Sequence, residues 1–496
     1  MRRTSGWWGR RAVIAASALL LAVVSLVGVG QASAAEDEGV PPGALPAPYS
    51  GWNVTVEPID PAQPQILHLS FDSPLLKRRM VNTVYLPDGY RRDGAATPVV
   101  YALHGTVLSP LDNCALDPVL GADTVARMLG CGGGYVQDNL SDIPSQLGAM
   151  RFAIVSPDTS PEYSVCQTCL WIDGRNDLLP NVKPVTAKTL PADSFLHREL
   201  YPLAEALFGF RSDRSGRGVM GFSMGGIAAA LQGMIHPDDY SFIGYISGAY
   251  DVTEPDLNTT ITEPLGYYRD QGYGTHLTDP VWWAQFNPKD IATNLRGVPM
   301  SFLLTSGSGC LNPVELTQKY CQGRFSPVST PSGVFVETVL AHSRDIAVAD
   351  LAAKNIPFTT KRTAGTHGAN NADMFAQHVV PQANSTFAAP VAAPDVFSYR
   401  SALPDFSVWG YHFAAARQQD AFLELTEVDA LGRRMVVAGP GRTTITTPPT
   451  FAPGETYRVR VEQAGRNADQ EVRADANGRV TLTLSSTADP STVTVS

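Results

Sequence analysis

One short motif in the chain carries a side chain suited to covalent chemistry. The pentapeptide Gly221-Phe222-Ser223-Met224-Gly225 follows the apolar run Gly218–Met220 and precedes a helical stretch rich in small residues. Between a strand and a helix, Gly-x-Ser-x-Gly forms a sharp turn that lifts the serine hydroxyl above a sheet, and the flanking positions leave no room for side chains. The motif therefore predicts Ser223 as a nucleophile.

A serine of this kind needs a histidine base, which in proteins with this turn follows the serine in chain order. His367 lies in the glycine-flanked loop 364–370, directly after the predicted strand Phe358–Arg362, and a loop at the carboxyl end of a strand can present a base. Other downstream histidines have different predicted places. His236 ends a helix, where its charge favours the helix dipole. His342 and His378 lie on predicted helices, His412 lies in the C-terminal region, and His276 is a further downstream histidine.

The acid that would orient the histidine is not fixed by the residues alone. The predicted strand Met300–Thr305 ends in Ser306-Gly307-Ser308-Gly309, without the carboxylate that many hydrolases carry there. Four carboxylates remain as candidates: Asp251, Glu315, Glu337 and Asp345.

The elements around these residues alternate between strand and helix patterns from about residue 50 to residue 385. This alternation predicts an α/β domain built on a parallel sheet. The predicted strands are Met80–Leu86, Val99–Leu103, Phe152–Ser156, Gly218–Met220, Phe242–Ile246 and Met300–Thr305, and the predicted helices include Phe195–Phe208, Gly225–Ile235 and Val334–Ala353.

The pattern changes after an Ala/Pro-rich stretch at 388–394, which is typical of a linker. Beyond it, apolar and polar residues alternate with period two between turn residues, as in Ala421–Val428, Thr443–Thr447, Tyr457–Val461 and Val480–Ser485. This predicts a small all-β, sandwich-like domain. The expected domains are a signal peptide at 1–34, an α/β-hydrolase catalytic domain at 35–390 and a β-sandwich accessory domain at 391–496.

The N-terminus has the layout of an export signal. Basic residues up to Arg11 precede an apolar stretch from Ala12 to Gly30, and Ala32-Ser33-Ala34 offers a cleavage site before an acidic segment. A retained membrane anchor is the alternative, because the apolar stretch is nearly long enough to span a bilayer. Arg10-Arg11 leaves open whether export is by the Sec or the twin-arginine route.

Charge argues against a nucleic-acid partner. The chain has 37 basic and 47 acidic residues, and four of the basic residues lie within the first 34 positions. Removal of the signal peptide would remove these four basic residues and make the chain more acidic. A chain with this excess of negative charge does not attract a polyanion such as nucleic acid.

Six cysteines follow the signal: Cys114, Cys131, Cys166, Cys169, Cys310 and Cys321. An even number in an exported chain predicts disulfides, and their spacing favours pairing in sequence order. The alternative for Cys166-x-x-Cys169 is a redox motif or half a zinc site, but no second pair with ligand spacing accompanies it.

Several motifs resemble those of the esterase D branch of the α/β-hydrolases, and most closely those of the actinobacterial mycolyltransferases known as the fibronectin-binding antigen family. They span about residues 65–385 and comprise the stretches 99–105, 221–224, 287–290 with 294–295, 335–337 and 365–367. The resemblance implies Glu337 as the acid, since that family carries a helical glutamate ahead of a Gly-Thr-His histidine. It also implies an oxyanion hole made by the backbone N–H groups of Thr106 and Met224.

Three positions depart from that family. His104, Val107 and Gly368-Ala369 stand where it has an acidic residue, an arginine and a tryptophan, which help to bind trehalose and shape the acyl site. These departures weigh against the transfer of mycolyl groups to trehalose. The long segment 107–150 is expected to cap the pocket.

These observations predict a secreted or envelope-associated serine esterase that hydrolyses or transfers acyl groups through Ser223, His367 and Glu337, without a metal or an organic cofactor. Its partner would be an acyl ester or a glycolipid. One alternative is a mycolyltransferase-like acyltransferase acting on cell-envelope glycolipids. The alternative from another class is a non-catalytic envelope-binding protein on a hydrolase scaffold.

Overall fold

The computed structural model describes residues 47–106, 142–159, 166, 168–175, 190–269, 271–389 and 391–496. The expected signal peptide, the pair Cys114 and Cys131, and most of the expected cap lie outside the described residues. Within the described ranges, no helix is both long and apolar enough to cross a bilayer.

The first part of the chain folds around one nine-stranded sheet with the strand order β1-β2-β3-β5-β4-β6-β7-β8-β9. The strands from β5 to β9 are mutually parallel, while β1, β2 and β3 join the edge as antiparallel neighbours. Their bounds are Thr55–Pro58, Ile66–Ser73, Arg78–Tyr85, Val99–Leu103, Ala153–Ser156, Arg217–Phe222, Phe242–Ile246, Ser301–Ser306 and Thr359–Arg362.

Helices cover both faces of this sheet. The α-helices α1 to α9 are Ala192–Phe195, Tyr201–Phe208, Met224–Ile235, Pro255–Leu257, Pro280–Gln285, Pro288–Ile291, Pro331–Ala353, Asn371–Met374 and Val380–Ala388. Among the described residues, three π-helical segments extend them: Leu196–Leu200 between α1 and α2, Asn258–Thr262 after α4, and Phe375–Val379 between α8 and α9.

The side chains of β4 show why both faces are covered. Val99, Tyr101 and Leu103 point into the larger apolar cluster, which includes α3. Val100 and Ala102 point into a second cluster that includes Phe375 and Phe387. Because successive residues of a strand face opposite sides, a strand of five fully buried residues requires a layer on each side.

The carboxyl ends of the parallel strands meet at one edge of the sheet. Five strands deliver residues there: β4 leads to Thr106, β6 to Ser223, β7 to Ser247, β8 to Gly307 and β9 to His367. In open α/β sheets, ligands bind outside the carboxyl ends of the strands. The topology therefore brings together residues that lie far apart in the sequence.

The C-terminal part forms two antiparallel sheets, with strand orders β10-β13-β14-β19-β16-β17 and β11-β12-β15-β18. One apolar cluster takes buried residues from both sheets, among them Tyr399, Phe413 and Val459. The strands β10 to β19 are Val396–Ser401, Asp405–Val408, Tyr411–Ala416, Leu423–Asp429, Arg434–Ala438, Gly441–Thr446, Thr456–Gln463, Arg466–Arg473, Thr481–Ser486 and Ser491–Val495.

Most of the predicted core elements are present within two residues of their expected bounds, including Val99–Leu103 and Phe242–Ile246 without change. The predicted helix Phe195–Phe208 begins earlier, at Ala192, and contains the π-helical segment. Strand β17 was not predicted, because its sequence Arg-Asn-Ala-Asp-Gln-Glu-Val-Arg is polar and exposed on both faces.

Candidate active site

Ser223 occupies the turn between β6 and α3. Its backbone has φ 59° and ψ −121°, a conformation that non-glycine residues rarely adopt. The turn is held because the Ser223 N–H donates to Ile246 O (2.9 Å) and its carbonyl accepts from Gly226 and Ile227. Such backbone strain persists only where the surrounding structure enforces it, and it occurs often at active sites.

The glycines of the motif are required by close backbone approaches. A Cβ at Gly225 would collide with the carbonyl oxygen of Leu103, and one at Gly221 would collide with Gly225. The turn at Ser223 therefore packs against the end of β4. This contact brings the loop after β4 to the nucleophile.

His367 lies beside this turn. Its ring packs on that of Phe222, the residue before the serine, with the ring centroids 4.5 Å apart. Its backbone N–H donates to Gly333 O (3.0 Å) in the first turn of α7. The histidine loop thus contacts both the turn at Ser223 and the helix that carries Glu337.

Glu337 is the carboxylate that contacts the histidine. His367 Nδ1 lies 2.6 Å from Glu337 Oε2, and because a carboxylate only accepts, Nδ1 is the donor. The other oxygen, Oε1, accepts from the Ser247 hydroxyl (2.7 Å) and from the Gly307 N–H. Glu337 is fully buried and has a donor on each oxygen.

The other three candidate carboxylates bond elsewhere. Asp251 accepts from Lys289 Nζ (2.6 Å), Glu315 accepts from the Ser308 hydroxyl (2.8 Å), and Asp345 pairs with Arg344. Burial raises the pKa of Asp251, but hydrogen bonds from Lys289, Thr253 and Asn287 outweigh it, so the pKa lies below its ordinary value. It is therefore an anion paired with a lysine at neutral pH.

The loop after β4 lies against the nucleophile. A Cβ added at Gly105 would stand 3.3 Å from Ser223 Cβ, so Gly105 allows the loop to approach the serine. Thr106 follows, and Met224 is the first residue of α3, where the backbone N–H has no acceptor within the helix. Of the two residues proposed for the oxyanion hole, Met224 thus follows Ser223 directly, and Thr106 follows the glycine that approaches it.

Tyr267 was not identified from the sequence. Its hydroxyl lies 2.6 Å from Thr106 Oγ1, and burial raises its pKa to about 12, so it is a neutral phenol at neutral pH. No pattern marks it, because it comes from the long connection between β7 and β8. Ser247 could have been found, since it directly follows a predicted strand at the same sheet edge.

His104, one of the departures from the resembling family, faces an acidic partner of its own. Its Nδ1 lies 2.8 Å from Gly105 O and its Nε2 lies 3.6 Å from Asp158 Oδ2. The ring also contacts Trp171 edge-on at 5.0 Å. His104 therefore supports the base of the loop that carries Thr106.

Two of the predicted cysteine pairs are confirmed: Cys166 with Cys169, and Cys310 with Cys321. Cys310 follows the strand end at which Gly307 contacts Glu337. The second disulfide therefore closes a loop next to the acid.

Residues 143–301, about a third of the chain, match the family model described as "Putative esterase". This segment contains Ser223 with the strands β6 and β7. The predicted esterase D-type α/β-hydrolase fold is confirmed. The enzyme class is confirmed at the level of carboxylic-ester hydrolase or acyltransferase.

Solved structures with low sequence identity are also similar. A ferulic acid esterase shares 16% identity (TM-score 0.39), with 65% of this chain and 98% of that one covered. MPT51 (FbpC1) of Mycobacterium tuberculosis shares 15% identity (TM-score 0.38), with 64% of this chain and 96% of that one covered. An S-formylglutathione hydrolase from Agrobacterium tumefaciens shares 15% identity (TM-score 0.37), with 64% of this chain and 95% of that one covered. No curated protein sequence matches.

Proposed function

We propose that the chain is a secreted serine esterase that transfers acyl groups to water or to an alcohol through a Ser223–His367–Glu337 triad. The observation that carries the proposal is the buried carboxylate of Glu337, which accepts from His367 Nδ1 beside the strained nucleophile turn. A carboxylate in this position fixes the tautomer of the imidazole and stabilises the cation that forms during attack.

In the proposed reaction, the Ser223 oxygen attacks the ester carbonyl carbon while His367 Nε2 takes the hydroxyl proton. The carbonyl electron pair moves to the oxygen, which accepts from the N–H groups of Thr106 and Met224. The C–O bond to the alcohol then breaks, and His367 returns the proton to the leaving oxygen. Water or an acceptor alcohol resolves the acyl-enzyme by the same steps in reverse.

The two disulfides support an oxidising compartment, because such bonds persist outside the cytosol. Together with the predicted signal at 1–34, they support secretion or placement in the cell envelope. The envelope would supply acyl esters or glycolipids as substrates. We further propose that residues 391–496 form a β-sandwich accessory domain, since one apolar cluster joins its two sheets.

Turnover of p-nitrophenyl acyl esters tests the proposal. The wild-type protein should release p-nitrophenol, and Ser223→Ala should abolish the release while the protein stays folded by circular dichroism. Ser407→Ala, an exposed serine of β11, is the matched control and should keep full activity. Equal activity of Ser223→Ala and wild type would show that the triad does not act.

Adding a short alcohol to the same assay separates hydrolysis from transfer. Transfer yields a new ester of that alcohol, whereas hydrolysis yields only the free acid. Incubation with an envelope lipid extract then identifies the natural acyl donor by the species that disappear.

A further inference from the structure

A second cluster of ligating side chains lies away from the proposed active site. Asp193 of α1, His197 of the π-helical segment and His236, which follows α3, each offer one ligand atom, and these atoms lie within 4.8 Å of one another. Helix α3 starts beside Ser223 and its 12 residues span about 18 Å. The cluster therefore lies at the opposite end of that helix from the nucleophile.

Two helices bring these side chains together. Asp193 and His197 are four residues apart on one continuous helical stretch, so they share a face. His236 approaches from the end of α3, with its Nε2 2.9 Å from Asp193 Oδ1 and its ring centroid 4.1 Å from that of His197. The side chains are 16% to 25% exposed, which leaves a path for an ion from solvent.

Gln232 adds a fourth donor atom and is fully buried. Its amide nitrogen donates to Trp171 O (2.8 Å) and to Asp193 Oδ1 (2.9 Å), which fixes the orientation of the amide. Its oxygen is thereby turned toward His197 Nε2, at 2.8 Å. Two imidazole nitrogens, one carboxylate oxygen and one amide oxygen thus converge.

A second carboxylate contacts the other ring nitrogen of His197. His197 Nδ1 lies 3.0 Å from Asp239 Oδ2, while the other oxygen of Asp239 accepts from Arg217 (3.1 Å). A histidine that ligates a metal typically donates its other N–H to a carboxylate in this way, which leaves Nε2 facing the ion.

The surroundings of His197 favour a cation at this point. Both of its ring nitrogens face oxygens: Nδ1 faces Asp239, and Nε2 faces Gln232 and, farther away, the Tyr240 hydroxyl (3.3 Å) and Asp193 (3.8 Å). A divalent ion at this point would bind Nε2 together with the oxygens of Gln232 and Asp193 on the same side.

We propose that Asp193, His197 and His236, with Gln232 as the fourth ligand, form a site for a divalent transition metal ion, with zinc the best match. Zinc accepts imidazole and carboxylate ligands in four-coordinate sites. Each imidazole would bind the ion in its neutral form, through the lone pair of an unprotonated Nε2.

The role we infer for this ion is structural. The residues around it contact the C-terminal sheets: Tyr399 donates its hydroxyl proton to Ile235 O (2.7 Å), and Trp409 N–H donates to Asp238 (2.7 Å). A metal joining α1 to the end of α3 would fix the loop 236–239 to which the C-terminal part is anchored.

Zinc binding to the full-length protein, prepared without a histidine tag and stripped with a chelator, tests the site. In competition with a chromophoric chelator, the wild-type protein should bind one equivalent of zinc. His197→Gln and His236→Gln should each weaken binding at least about tenfold, since each removes a ligand. The exposed histidine variant His412→Gln is the matched control and should bind as the wild type does.

Asp239→Asn is the second variant, because it leaves all four ligands in place. It should weaken zinc binding about 10- to 100-fold while the protein stays folded. Zinc should raise the melting temperature of the wild type without changing its turnover of soluble esters. No zinc binding by the wild type, or undiminished binding by both histidine variants, would show that the cluster is only a hydrogen-bonded network.

Discussion

At the scale of single residues, the choice of the acid depends on one contact. His367 Nδ1 bonds to Glu337, whereas Asp251, Glu315 and Asp345 bond to other groups. We therefore expect Glu337→Gln to lower the turnover number at least about a hundredfold, because the histidine loses the charge that stabilises its cation.

The three other carboxylates are the matched controls for this experiment. Asp251→Asn, Glu315→Gln and Asp345→Asn should stay within about tenfold of the wild-type turnover number, since none touches the base. A large loss in one of them, with Glu337→Gln nearly unaffected, would assign the acid to that residue.

Ser247 is proposed to act through Glu337 and is thus a positioning residue. Its hydroxyl donates to the oxygen of Glu337 that does not contact the histidine. Ser247→Ala should lower kcat by about tenfold and leave KM near its wild-type value. The reason is that a less firmly oriented Glu337 carboxylate matters in the transition state, when the histidine carries a charge, and not when the substrate binds.

Ser308→Ala serves as the comparison, since this nearby serine bonds to Glu315 instead. It should keep the wild-type kcat. A rise in KM with unchanged kcat for Ser247→Ala would assign Ser247 to substrate binding instead.

At the scale of elements, local patterns predicted Ser223 and His367 because each is marked by its neighbours in the chain. Glycines flank Ser223 in the nucleophile turn and His367 in the loop after β9, and both patterns can be recognised in the sequence. Glu337 needed the resemblance, because its place depends on how α7 packs over the end of β8. There, Gly307 has no side chain, and a Cβ would stand 2.7 Å from Glu337 Cγ.

The missing carboxylate after β8 thus has a physical explanation. The strand end carries a glycine whose N–H binds a glutamate that reaches in from a helix. The sequence pattern of a single strand or helix does not reveal such a contact between two elements. Tyr267 escaped prediction for the same reason, as its contact with Thr106 joins residues 161 positions apart.

The disulfide next to this strand end gives a prediction for an element. The bond between Cys310 and Cys321 closes a loop with a sequence separation of 11. The double variant Cys310→Ser/Cys321→Ser should lose up to about 3 kcal/mol of unfolding free energy, because the open loop gains entropy in the unfolded chain.

Denaturant unfolding measures this loss. The comparison is Cys166→Ser/Cys169→Ser, whose loop has a separation of only 3 and should cost up to about 2 kcal/mol. Equal stability of the Cys310/Cys321 variant and the wild type would show that this bond does not constrain the unfolded chain.

At the scale of the whole molecule, the C-terminal sheets are bonded to the core by buried polar groups. Gln285 accepts from the Ala402 N–H (2.6 Å), and Asn294 both donates to Arg400 O and accepts from its N–H. Gln285 and Asn294 are almost fully buried, so removing their partners costs hydrogen bonds as well as apolar contact.

A chain ending at residue 389 should therefore keep esterase activity toward small soluble esters but melt at least about 5 °C below the full-length protein. Activity persists because no member of the proposed triad lies beyond this point. Differential scanning calorimetry and the ester assay measure the two effects. An unfolded truncated chain would instead show that the two parts form one cooperative unit.

The central claim, that Ser223 is an activated nucleophile, is tested most directly by covalent labelling with a fluorophosphonate followed by peptide mapping. The probe reacts with activated serine hydroxyls. We predict one adduct per chain, on the peptide that contains Ser223, with labelling absent in Ser223→Ala and strongly slowed in His367→Ala. An adduct on another residue, or undiminished labelling of Ser223→Ala, would contradict the account.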